Sequence, residues 1–122
     1  MIVAGFGFTS RASAHSLEDA FRATGHDGPL DAIAVPDDKA AQPALLDVAR
    51  ARSCPIRAIQ PDALERAQTE TQSFVSRMMR GTGSVAEAAA LAAAGPGATL
   101  IATRQISQDR MATCAIARGP DT

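Results

Sequence analysis

The run Gly81-Thr82-Gly83-Ser84-Val85-Ala86-Glu87 passes from a glycine-rich loop into an alanine-rich segment that stops at Gly95. A helix starting at Ser84 would present unpaired backbone N–H groups and the positive end of its dipole, a combination suited to an anion. Thr82, Gly83 and Ser84 are therefore candidate ligand contacts. The same residues have a second reading. Ser84 and Glu87 have the spacing of a capping box, in which Glu87 reaches back to the helix start. That explains Ser84 and Glu87 without a ligand, but not the two glycines and the threonine before them. No catalytic residue is assigned. Glu87 is the candidate for an acid–base role, and capping would compromise it.

A second chemical loop lies near the N-terminus: Gly5-Phe6-Gly7-Phe8-Thr9-Ser10-Arg11. Gly5 and Gly7 allow close approach of the backbone to a ligand, and Thr9, Ser10 and Arg11 can bind a carboxylate or phosphate. The dinucleotide fingerprint is incomplete, because Ser10 stands where the third glycine of G-x-G-x-x-G would be. A structural turn is the competing reading. Lys39 follows two aspartates and Arg104 closes an apolar run. Each reads either as a solvated charge or as a cation at a strand end. If the loops converge, Arg11, Lys39 and Arg104 form a basic rim suited to a ligand with several carboxylates.

Composition narrows the field. The chain has 122 residues, with twelve basic and thirteen acidic side chains and a formal net charge of −1. That balance argues against non-specific nucleic-acid binding. Trp and Tyr are absent, so base stacking would rest on phenylalanines alone. Phe6 and Phe8 could stack on a flat macrocycle or pack in the core. No apolar run reaches the roughly 18 residues of a membrane span, and the N-terminus reads as a strand rather than a leader. A cytoplasmic protein is expected, with Cys54 and Cys114 as reduced thiols and no metal site or cofactor of its own. His15 and His26 suit solvated or capping roles, and Met78-Met79 suits the core.

The elements that must position these groups follow from periodicity and breakers. Ile2-Val3-Ala4 reads as a buried strand. Ser13 caps a helix through Thr24, with Leu17, Ala20 and Phe21 on one face and Gly25 as the stop. Asp31–Val35 and Ile56–Ile59 read as strands, separated by a helix from about Gln42 to Arg52 with Pro43 in its first turn. Pro61–Arg66 is a short helical turn, Ser73–Arg80 a helix, and the alanine-rich segment another. Ala98–Thr103 and Met111–Ala117 are the last strands. The short polar link from Arg104 to Arg110 makes them an antiparallel hairpin. This order predicts an α/β fold: a three-layer α/β/α domain over residues 1–118, with a mainly parallel, mixed sheet of about five strands ending in an antiparallel hairpin, and a frayed tail at 119–122. Ligands of such sheets bind outside the carboxyl ends of the strands. That nominates Gly5–Ser13, Pro36–Gln42 and the segment after Thr103.

Val3-Ala4-Gly5-Phe6-Gly7 with its Ser/Thr/Arg loop, Lys39 ahead of Pro43-Ala44-Leu45-Leu46, Gly83-Ser84-Val85-Ala86-Glu87-Ala88-Ala89-Ala90, Leu100-Ile101-Ala102 and Ala112–Ala117 occur in consistent order along nearly the whole chain. This pattern resembles the CobE/CbiG C-terminal domain family of cobalamin biosynthesis. In that family the domain occurs alone or behind other domains. The longer CbiG proteins open a lactone and release acetaldehyde from a cobalt-containing corrinoid. Because this chain starts at the domain's first strand, the resemblance is to the stand-alone CobE-like form of the aerobic pathway, which has no assigned reaction. It implies a protein that binds a precorrin or hydrogenobyrinic-acid-like tetrapyrrole and sequesters it or hands it on. Gly5, Gly7, Thr9, Ser10, Arg11, Thr82, Gly83 and Ser84 would contact the ligand, while Lys39 and Arg104 supply charge. The competing readings are a corrinoid hydrolase of the CbiG type using Glu87 or Lys39, and a structural partner of other cobalamin-pathway enzymes.

Overall fold

A computed structural model describes residues 1–71 and 85–120. The expected helix at 73–80 lies outside them, as do Thr82, Gly83, Ser84 and the Met78-Met79 pair. The described chain runs β1 (Ile2–Phe8), α1 (Ala14–Ala23), β2 (Ala32–Pro36), a 3-10 turn (Asp37–Lys39), α2 (Pro43–Arg52), β3 (Ile56–Ile59), α3 (Pro61–Thr71), α4 (Val85–Ala94), β4 (Thr99–Ile106) and β5 (Ala112–Arg118).

Local chemistry explains most boundaries. The Ser13 hydroxyl accepts from the Ser16 N–H and the Ser16 hydroxyl accepts from the Ser13 N–H, a reciprocal cap that starts α1. Gly25, at φ +79°, follows its end. Pro43 occupies the first turn of α2, which closes at Ser53 in a left-handed conformation. Helix α3 extends beyond the expected turn, to Thr71.

The sheet has the order β3-β2-β1-β5-β4. Strands β1, β2 and β3 are parallel; β5 is antiparallel to β1 and to β4. The closing hairpin therefore docks with its second strand against β1, which puts β5 inside the sheet and β4 on its edge. Side chains alternate between faces. Ala4, Phe6, Ile33, Val35, Cys114 and Ile116 pack with Leu17, Phe21, Leu45 and Val48 of α1 and α2. Val3, Ala32, Ala34 and Ala117 pack on the other face with Ala89 and Ala90 of α4, flanked by Leu64 of α3. The result is a three-layer α/β/α domain. Arg52 links the first layer together, pairing with Glu18 at 2.5 Å while its guanidinium sits 4.2 Å from the Phe21 ring centroid.

The alanines of α4 let the helix lie close to the sheet, and Gly5 makes that approach possible. A Cβ added to Gly5 would fall 2.7 Å from the Ala90 nitrogen and 2.9 Å from the Ala90 Cβ. At the far end of α4, Gly119 is buried, and its N–H donates to the Met1 carbonyl at 2.9 Å. This hydrogen bond continues the β1–β5 pairing to the first residue of the expected tail at 119–122, whose last two residues lie outside the described ones.

Candidate functional site

The carboxyl ends of β1 and β2 open into a groove of about 610 Å³. Its walls come from Gly7, Phe8 and Thr9 after β1, Pro36, Asp38 and Lys39 after β2, Leu64 of α3 and Val85 at the start of α4. Arg104 of β4 and the segment Arg110–Thr113 complete it. Because β4 runs parallel to β1, its end and the hairpin turn fall at the same sheet edge as the carboxyl ends of β1 and β2. The volume lies within the roughly 300–1,000 Å³ common for small-molecule sites.

The residues expected to bind ligand divide by position. Gly7, Thr9, Lys39 and Arg104 line the groove together. Gly5 faces α4; the close backbone approach that its glycine permits is that of a helix. Ser10 and Arg11 are exposed at the turn after β1 and do not line the groove. Thr82, Gly83 and Ser84 are outside the described residues, so the expected anion-binding loop is represented here by Val85 alone.

The polar groups in the groove are held by specific contacts. Thr113 donates its hydroxyl to the Gly7 carbonyl at 3.2 Å, and the Thr9 N–H donates to the Met111 carbonyl at 3.0 Å. The β1–β5 ladder thus continues to the rim. Lys39 places its ammonium 5.5 Å from the Phe8 ring centroid, within cation–π range. Phe8 therefore serves as a platform for a cation, whereas Phe6 is buried in the core.

Glu87 has a role the sequence did not disclose. It is 6 % exposed, and its Oε2 accepts the backbone N–H of Arg104 at 2.9 Å. The β4–β5 register shifts between Ala102 and Gln105, which takes the backbone at Arg104 out of regular pairing. Its N–H, 17 residues from Glu87 along the chain, finds the carboxylate instead. Arg104 was expected after the fourth strand. It lies within β4, at this irregularity, and the strand continues to Ile106.

The hairpin tip lies in the segment nominated after Thr103, and it contributes residues that the sequence reading did not single out. Ser107–Arg110 forms a turn in which the Arg110 N–H donates to the Ser107 carbonyl at 2.9 Å. Arg110 has φ +62°. Asp109 accepts from the Ser107 hydroxyl at 2.6 Å, the Met111 N–H at 3.0 Å and the Ser16 hydroxyl at 2.5 Å. These hydrogen bonds hold its carboxyl below the usual carboxylate range, those from Ser107 and Ser16 contributing most. Asp19 accepts the Gln108 N–H at 2.7 Å, so two carboxylates tie the turn to α1. The Ser-Gln-Asp-Arg order signals a turn; its docking beside β1 depends on strand order and has no local signal.

Cys114 is fully buried, and desolvation pushes its thiol far up. Cys54 is half-buried, and burial raises it as well. Among the described residues, no cluster of His, Cys, Asp and Glu is arranged to hold a metal ion, and no helix is long and apolar enough to cross a membrane.

This is an α/β sheet protein with its groove at the strand carboxyl ends. The family described as cobalamin synthesis G C-terminus matches residues 2–117, and the chain belongs to it. Among solved structures, the cobalamin biosynthesis protein chiG from Agrobacterium tumefaciens str. C58 is 34 % identical, with a TM-score of 0.77 over 99 % of this chain and 100 % of that one. CobE, a protein from the cobalamin (vitamin B12) biosynthetic pathway, is 32 % identical, with a TM-score of 0.77 over 97 % of this chain and 89 % of that one. No curated protein matches the chain.

Proposed function

We propose that this protein binds a tetrapyrrole intermediate of corrin-ring construction, of the precorrin or hydrogenobyrinic-acid type, and sequesters it or passes it to a pathway enzyme. One observation carries the reading: Lys39, from the turn after β2, and Arg104, from β4, converge on an open groove that also holds Asp38 and Arg110 and whose remaining walls are largely apolar. Such a macrocycle offers a flat apolar body with carboxylate arms. Phe8, Leu64, Val85 and Met111 suit the body. The basic side chains, with the Thr9 and Thr113 hydroxyls, suit the arms. Membership in a cobalamin-biosynthesis family supports the same ligand class.

Binding is favoured over hydrolysis by the environment of Glu87. Its carboxylate holds the β4 backbone at Arg104, which ties it to the fold rather than leaving it aimed at a ligand. The test is gel filtration of the protein with hydrogenobyrinic acid, read by visible absorbance. Co-elution of pigment with wild type, weakened in Lys39→Ala and Arg104→Ala variants that retain their fold, is expected. Pigment eluting wholly free of the wild-type protein would refute the proposal. Conversion of the pigment by the purified chain would instead establish the enzyme reading.

A further inference from the structure

We infer that Arg110 is a third basic ligand contact, held ready at the rim by the hairpin turn, and that it recognises a carboxylate arm of the groove's ligand. The inference rests on the reading of the groove as a site for a polycarboxylate, and it assigns a residue that neither motif nor spacing indicated.

Arg110 is exposed and lines the groove with Lys39 and Arg104. Its backbone is left-handed, at φ +62°, where a side chain is disfavoured and glycine is the usual occupant. Folding alone would therefore be served by glycine at this position. An arginine here adds strain to the turn and gains, in exchange, a guanidinium at the mouth of a groove. The turn is also built to stay in place. Asp109, next to Arg110, is fixed by hydroxyls from Ser107 and from Ser16 of α1, and Asp19 of α1 anchors the Gln108 N–H. This frame sets where the Arg110 backbone sits before any ligand arrives, which lowers the ordering cost of binding. A guanidinium meets a carboxylate through paired N–H donors, a geometry that an amide or ester arm cannot match in charge.

Arg110→Gly removes the guanidinium while relieving the left-handed strain, and Arg110→Lys keeps the charge without the paired donors. Visible-absorbance titration with hydrogenobyrinic acid should show about a tenfold weaker Kd for Arg110→Gly, the size of one charge-assisted contact at an open rim. Its thermal midpoint should be no lower than that of wild type, and Arg110→Lys should fall between the two in affinity. Wild-type affinity in a folded Arg110→Gly protein would overturn the assignment. A second measurement uses the wild-type protein alone: the Arg110 side-chain Nε–H resonance during titration with tricarballylate, a ring-free tricarboxylate. A saturable shift is expected. If hydrogenobyrinic acid fails to bind while this shift occurs, the tetrapyrrole reading fails and Arg110 remains a carboxylate contact. If neither ligand acts on the wild-type protein, both proposals fail.

Discussion

Replacing Gly5 with alanine tests how α4 meets the sheet. The added Cβ would sit 2.7 Å from the Ala90 nitrogen and 2.9 Å from the Ala90 Cβ. Ordinary contact begins near 3.4 Å, and the Ala86 carbonyl oxygen lies nearer still to the added Cβ than either Ala90 atom, so helix and strand must separate by more than the Ala90 contacts alone would require. Backbone atoms cannot rotate aside as the end of a flexible side chain can. The shift would be shared by the packing of Ala89 and Ala90 against Val3, Ala32 and Ala117, and gaps of about 0.5–1 Å forfeit a quarter to a half of each dispersion contact. Overpacking of this kind costs about 1–3 kcal/mol, with rigid neighbours favouring the upper end. The alanine also restricts the unfolded chain, which offsets about 0.4–1 kcal/mol. The packing term wins, leaving a loss of about 2 kcal/mol, or roughly 8 °C in Tm for a chain of this size. Gly28→Ala is the control, because its added Cβ meets only the His26 ring at 3.4 Å. Urea and thermal denaturation of both variants give the answer. A Gly5→Ala protein as stable as Gly28→Ala would refute the account of α4 packing.

Further outcomes concern the groove and its frame. Glu87→Ala should lose about 1–3 kcal/mol in urea denaturation, because it strips a partner from the Arg104 N–H, and Glu87→Gln, which keeps an acceptor, should lose less. The carboxyl of Asp109 is depressed in the folded protein, so its stabilising effect is fully present above the unfolded value of about 3.9 and fades as pH falls through the lower folded value. Asp109→Asn should therefore narrow its stability deficit relative to wild type below about pH 4, and an unchanged deficit from pH 7 to pH 2 would contradict the proposed hydrogen-bond frame. Cys114 should resist a disulfide exchange reagent until the protein unfolds, since burial disfavours its thiolate, while half-buried Cys54 should react slowly in the native state. Labelling of both thiols at equal rates in folded protein would exclude that difference.

Much of the architecture was legible in the residues themselves. Ser13, Gly25, Pro43 and the spacing of Leu17, Ala20 and Phe21 marked α1 and the start of α2, because caps, breakers and helical period act over a few residues. The hairpin was legible from the shortness of its link. The family was also legible, from ordered local motifs. What the sequence could not show is who meets whom across the sheet. Gly5 was read as admitting a ligand or as part of a structural turn, and only the placement of α4 showed that the close approach is a helix's. Glu87 had capping-box spacing, yet one of its oxygens accepts from Arg104 on a strand. Arg110 looked like part of a connecting turn until β5 inserted beside β1 and carried the turn to the groove. Local bias fixes where a helix begins. The convergence of Gly7, Lys39, Arg104 and Arg110 depends on strand order and a shifted register, and those are decided by burial and hydrogen bonding summed over the whole sheet.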